Sequence, residues 1–72
     1  MIEIRLFASL REGREKVYKL EEAFSNGEEI LDYFQIKSED VAIFLINGMH
    51  SNLKNPIKDE DVIAIFPPIG GG

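Results

Sequence analysis

The sequence contains no cysteine. That absence excludes a disulfide framework, a thiolate nucleophile and a thiolate metal site together. It has a single histidine, His50, with no second ligand at metal-binding spacing, so the imidazole reads as a surface group and no metal is expected. No stretch approaches the roughly 18 apolar residues that a membrane span needs, and the first residues have the pattern of a strand instead of a signal peptide. A cytoplasmic protein is expected, with no membrane partner. Basic residues are scarce, 8 Lys and Arg against 13 Asp and Glu, for a formal charge of −5. Nonspecific nucleic-acid binding needs basic surface to displace counterions, so that class is set aside.

Catalytic and phosphate-binding patterns are missing too. Gly70-Gly71-Gly72 has no helix after it and cannot form a phosphate cradle of the usual kind. Asp59-Glu60-Asp61 lacks the loop length and the glycine of an EF-hand and reads as a solvated turn. Glu28, Glu29 and Asp32 are accounted for by the dipole at a helix start, not by paired-carboxylate catalysis.

What is present fits one small domain. Seventy-two residues, 44% of them hydrophobic, allow a core near the lower size limit for unaided folding. The charge is unevenly spread: residues 1–19 carry Arg5, Arg11, Arg14, Lys16 and Lys19 against three acids, and residues 20–72 carry three bases against ten acids. Such asymmetry describes either a solvated face or a charged docking surface.

Along the chain, Ile2, Ile4 and Leu6 alternate with Glu3, Arg5 and Phe7, the period-two pattern of a half-buried strand that leaves Phe7 on the outer face. Residues Ala8 to Gly13 supply a turn, and Lys16–Leu20 reads as a second, antiparallel strand. Ser25-Asn26-Gly27-Glu28 has capping-box spacing, which predicts a helix over about residues 26–35 with Ile30, Leu31 and Phe34 as its apolar stripe. Residues Lys37 to Asp40 form a polar connection. Val41–Ile46 is apolar without alternation, as expected of a strand covered on both faces or one whose outer face meets a partner. Asn47-Gly48 is a strong turn signal, Met49–Leu53 a candidate edge strand, and residues 62–66 a final strand. On that strand Ile63 and Ile65 point inward, which sends Val62, Ala64 and Phe66 outward beside Phe7.

Two prolines stop the final strand at Phe66, since they cannot donate to a sheet ladder. Pro67-Pro68 favours an extended conformation, and Gly70, Gly71 and Gly72 remove the β-carbons from the last residues. At roughly 3.1 Å per residue, residues 67–72 could project the terminal carboxylate on the order of 18 Å from the fold. Such a stretch is either a frayed end of linker composition or a thin probe able to enter another protein's active site. The chain divides accordingly into residues 1–66, an α+β domain, and residues 67–72, an extended tail. Strand, strand, helix, strand, short strand, strand is the order of a β-grasp domain, a mixed sheet packed on one helix with its first and last strands parallel at the centre.

These residues carry a resemblance. The chain resembles the ubiquitin-like sulfur carriers, and most closely the small subunit of molybdopterin synthase, over its whole length. The match lies in Leu6-Phe7-Ala8 with Arg11-Glu12, Ile46-Asn47-Gly48, Pro56-Ile57-Lys58-Asp59 with Asp61, and Phe66-Pro67-Pro68 with Gly71-Gly72. Glu60 departs from it where a turn glycine is usual, and Gly70 makes the tail a triple glycine.

The resemblance implies a function without catalysis by this chain. A ubiquitin-activating-type adenylating enzyme would use MgATP to convert the Gly72 carboxylate into an acyl-adenylate, and a sulfur donor would then displace AMP and leave a thiocarboxylate. Gly70 and Gly71, on the base formed by Pro67 and Pro68, would thread the tail into the large subunit of molybdopterin synthase. No cofactor is expected on the chain itself. The same resemblance puts Phe7, His50 and Phe66 at hydrophobic docking positions, with His50 departing from the apolar residue expected there, and Arg11 at a polar one. Sulfur carriers for thiamine, thiolated tRNA or a tungsten cofactor would share this chemistry. A protein modifier joined to lysines would use the same activated terminus, and a noncovalent binding module would not use it.

Overall fold

The structure, a computed structural model, describes residues 1–68. Five strands, β1 (Ile2–Leu6), β2 (Val17–Leu20), β3 (Ile43–Ile46), β4 (Met49–His50) and β5 (Val62–Phe66), form one sheet in the order β2-β1-β5-β3-β4. One helix, α1 (Gly27–Phe34), completes the β-grasp arrangement. β1 and β5 are parallel neighbours at the centre, with Ile4 opposite Ile63 and Leu6 opposite Ile65, while the β1–β2, β5–β3 and β3–β4 pairs are antiparallel.

The alternation in β1 produces the expected two faces. Ile2, Ile4 and Leu6 are buried, as are Ile63 and Ile65 beside them, and they meet Ile30 and Leu31 of the helix. Removing a side chain such as Ile4 or Ile63 from water contributes about 2 kcal/mol, which is how so short a chain offsets its ordering entropy. Three more core residues come from connections. Leu10 lies in a 3-10 turn (Ala8–Arg11) inside the expected Ala8–Gly13 turn, Ile36 follows the helix, and Ile57 follows Pro56. In a domain this small the loops must help close the core.

The helix begins one residue later than the capping-box spacing predicts. Asn26, not Ser25, is the cap: its Oδ1 accepts the Glu29 N–H at 3.1 Å, and the Glu29 carboxylate accepts the Ser25 N–H at 2.7 Å. Asn26 thus caps the Glu29 amide while the Glu29 carboxylate reaches back one residue further, to Ser25, and the helix spans residues 27–34 instead of 26–35. Both amides of the first turn that a side chain does not reach, those of Gly27 and Glu28, donate to the Leu53 carbonyl. That contact explains why the candidate strand Met49–Leu53 shrinks to Met49–His50. The chain leaves β3 to cap the helix start, and Asn52 and Asn55 close a turn there through their side chains.

At the other end Gln35 takes a left-handed conformation (φ 58°), and the Ile36 N–H donates back to Leu31 O. The last turn has no cation of its own. Arg14 supplies one from the β1–β2 connection, donating from Nη2 to Phe34 O at 3.0 Å and from Nη1 to Leu10 O at 3.2 Å.

Asn47 and Gly48 both have positive φ (52° and 82°), the turn expected between β3 and β4. The Asn47 side chain also ties this turn to the start of β5, accepting from the Val62 N–H and donating to Asp61 Oδ1. Asp61 Oδ2 accepts the Lys58 N–H, and these two bonds, the backbone one first, hold its carboxyl below the usual carboxylate value. Glu60, the position where the resemblance expects glycine, does adopt a glycine-like φ of 73°. Its carboxylate and that of Asp59 accept from the Met1 ammonium, which they raise to about 10.

Candidate functional site

The end of β5 organises the candidate site. Because β1 and β5 run parallel in register, Phe7 and Phe66 leave the sheet at the same level and on the same outer face. Their rings stack with centroids 4.1 Å apart and planes 9° from parallel. The Phe7 N–H donates to Ile65 O at 3.2 Å, which holds the two strand ends together. Just after Phe7, Ala8 turns the chain through a φ of 53° into the 3-10 turn that carries Arg11.

Arg11 completes this cluster. Its Nε donates to Leu6 O at 2.8 Å, and its guanidinium carbon lies 5.3 Å from the Phe7 ring centroid. A cation over a π-face at this distance is attracted by the ring quadrupole. The Nε donor is committed to the backbone while the residue as a whole stays exposed, so the guanidinium is tethered beside two half-exposed rings.

Pro67 and Pro68 continue from this cluster between two unlike surfaces. On one side Ala8, Ser9, Ala42, Ile43 and Phe66 form a shallow, mainly apolar depression against them. On the other, Arg14, Glu12, Gln35 and Asp40 line a polar groove. Ile43 is 37% exposed although it lies within the β3 strand, opposite Phe66. Of the two explanations for the unalternating run Val41–Ile46, burial on both faces therefore fails: Phe44 is buried, and Ile43 faces outward beside the aromatic pair.

Sequence reasoning identified Phe7, Phe66 and Arg11, and the structure brings the three together. It does not bring His50 to them. His50, on β4 at the sheet edge, pairs with Leu45 of β3, and its cross-strand row continues through Ala64 and Arg5 instead of through Phe66. It shares the outer face and is separated from β5 by β3. Ile43 and Ala42 belong to the depression and were not singled out; the missing alternation was their only signal. Gly70, Gly71 and Gly72 lie outside the described residues. Among the described residues no three His, Asp or Glu side chains gather as a metal site, and no helix is long and apolar enough to cross a membrane.

A mixed five-strand sheet packed on one helix, with an aromatic-flanked diproline leaving its central strand, defines a β-grasp domain of the ubiquitin-like class. Within that class, the ThiS family profile matches residues 4–72, and the chain belongs to this family of ubiquitin-like sulfur carriers. Solved structures agree with the fold. SAMP1 from Haloferax volcanii is similar with a TM-score of 0.71 at 21% identity, covering 99% of this chain and 98% of that one. A Helicobacter pylori 26695 chain, from a complex of subunits 1 and 2 of molybdopterin-converting factor, is similar with a TM-score of 0.65 at 27% identity, over 99% and 97% of the two chains. A Pyrococcus furiosus protein described as molybdopterin converting factor, subunit 1, gives 0.71 at 20% identity over 94% and 97%. No curated protein sequence matches the chain.

Proposed function

We propose that this chain is the small, noncatalytic subunit of molybdopterin synthase, and that it delivers sulfur as a thiocarboxylate at Gly72. The observation that carries the reading is the cluster of Phe7, Phe66 and Arg11 at the root of Pro67-Pro68. An aromatic anchor with an oriented cation, set where the tail leaves the fold, suits a partner that must grip the body while the tail reaches past it. The Helicobacter pylori relative, seen as a complex of two subunits, supports a large-subunit partner of this kind.

The chemistry requires partners. A free carboxylate is a poor electrophile. In an adenylating enzyme, a Gly72 carboxylate oxygen attacks the α-phosphorus of MgATP, pyrophosphate leaves, and an acyl-adenylate forms. A sulfur nucleophile at the sulfide level then attacks the acyl carbon, AMP leaves, and the thiocarboxylate remains. Inside the large subunit that sulfur passes to the pterin precursor. Gly70 and Gly71 have no side chain to obstruct a narrow channel. The requirement for MgATP supports a cytoplasmic location for these steps.

A second reading is a protein modifier attached to lysines through the same activated glycine. The similarity to SAMP1, a small archaeal modifier protein, favours keeping it. Intact mass of the chain isolated from its native host separates the two. A population heavier by one sulfur-for-oxygen exchange, mapped to Gly72, supports the carrier. Unmodified chain together with lysine-linked conjugates ending in Gly71-Gly72 replaces it with the modifier.

A further inference from the structure

Among the described residues β2 is an edge of the sheet, paired only with β1. Leu6 N–H donates to Lys16 O at 2.9 Å, and the register continues as Ile4 with Tyr18 and Ile2 with Leu20. Backbone groups alternate sides along a strand, so those of residues 16, 18 and 20 face β1, and those of Val17, Lys19 and Glu21 face outward. Val17 is 40% exposed, and Lys19 and Glu21 are exposed. The strand ends at Leu20, and the chain makes no turn or bend from Glu21 to Phe24.

This edge carries both signs of charge in series, Lys16 and Lys19 followed by Glu21 and Glu22. Two copies related by a two-fold axis would meet antiparallel, with outward-facing residues opposite one another. Setting Lys19 opposite Lys19, or Glu21 opposite Glu21, places like charges face to face. Setting Val17 opposite Val17 puts Glu15 opposite Lys19, and setting Tyr18 opposite Tyr18 puts Glu15 opposite Glu21, a like-charge pair; in both, the Glu15 N–H is already given to Tyr18 Oη at 2.8 Å and the chain bends at Lys16. The remaining register sets Leu20 opposite Leu20 and Lys19 opposite Glu21, twice by symmetry, and among the described residues the outward amides have no other acceptor.

We propose that the chain pairs with a second copy of itself through the β2 edges, in the register that joins Lys19 of each copy to Glu21 of the other. The contact is short and buries far less than the roughly 1,000 Å² of a stable interface, so the pair forms and separates readily. β2 lies on the far side of β1 from β5, and the Phe7 and Phe66 rings stay uncovered. The proposal is therefore independent of what the tail carries.

Sedimentation equilibrium of the full chain across micromolar to millimolar concentration tests it. Self-association is expected, with the amide signals of Val17, Lys19 and Glu21 shifting with concentration in heteronuclear NMR. Lys19→Glu alone and Glu21→Lys alone should each weaken association by about tenfold or more, and the doubly exchanged chain should recover it. Both side chains are exposed, and cooperative thermal unfolding will show that each variant folds, Lys19→Glu at a somewhat lower midpoint because Glu3 lies opposite it on β1. A monomer at all concentrations would overturn the proposal, with the lysines then acting to keep the edge unpaired. So would rescue of Lys19→Glu by Glu15→Lys in place of Glu21→Lys.

Discussion

Phe7 and Phe66, from opposite ends of the chain, stack face to face with ring centroids 4.1 Å apart. The contact exists because β1 and β5 are parallel neighbours, and it fixes the point from which Pro67 and Pro68 leave the sheet. Both rings remain partly open to solvent, so the pair is a surface feature and not part of the core.

Phe66→Ala should separate binding from folding. Loss of the stacked pair removes about 1 kcal/mol of stability, because each ring is half-exposed. Under the proposed function the ring anchors a docking face, and its loss should weaken association with the large subunit by about thirtyfold or more. Chemical denaturation and isothermal titration calorimetry measure the two effects. An unchanged dissociation constant would move the interface elsewhere.

Removal of Gly71 and Gly72 should leave the thermal midpoint unchanged and abolish activation, since neither residue follows a core position and the proposed function puts the reacting carboxylate on Gly72. Pyrophosphate release by the adenylating partner reports the second effect. Turnover with the truncated chain would remove the terminal glycine from the chemistry.

Gly27→Ala should destabilise the fold by about 1–3 kcal/mol. Gly27 is buried at the first turn of α1, and a Cβ there would stand 2.6 Å from Phe44 Cζ and 3.0 Å from Leu53 Cδ2. Phe44 is itself core, so the ring has little room to yield. Urea unfolding measures the cost. A variant as stable as the parent would mean that the helix start can shift outward without loss.

Acid should weaken the fold through Asp61. Its carboxyl is held low by the Lys58 N–H and the Asn47 amide, so the folded protein favours the ionised form more than the unfolded chain does. The contribution is present above the unfolded value of about 4 and is lost as pH falls through the lower folded value. Asp61→Asn cannot titrate. Its thermal midpoint should fall less steeply than the parent's below about pH 4, and parallel slopes would exclude Asp61 as a source of the acid sensitivity.

The sequence by itself determined the strands, the helix and the end of the last strand, because each rests on a local rule. Alternation in Ile2–Leu6 fixes two faces, Asn47-Gly48 fixes a turn, and two prolines end a strand whatever surrounds it. It also named Phe7, Phe66 and Arg11. Tertiary structure alone decided which amide the cap would reach, since Leu53 O takes the Gly27 and Glu28 amides and shifts the cap to Asn26. It decided that Leu10 and Ile57 join the core from loops and that Arg14 closes the end of α1. Strand order likewise separated His50 from Phe66 and set Ile43 beside it. These outcomes depend on which distant segments become neighbours in the sheet, and spacing along the chain carries no record of that.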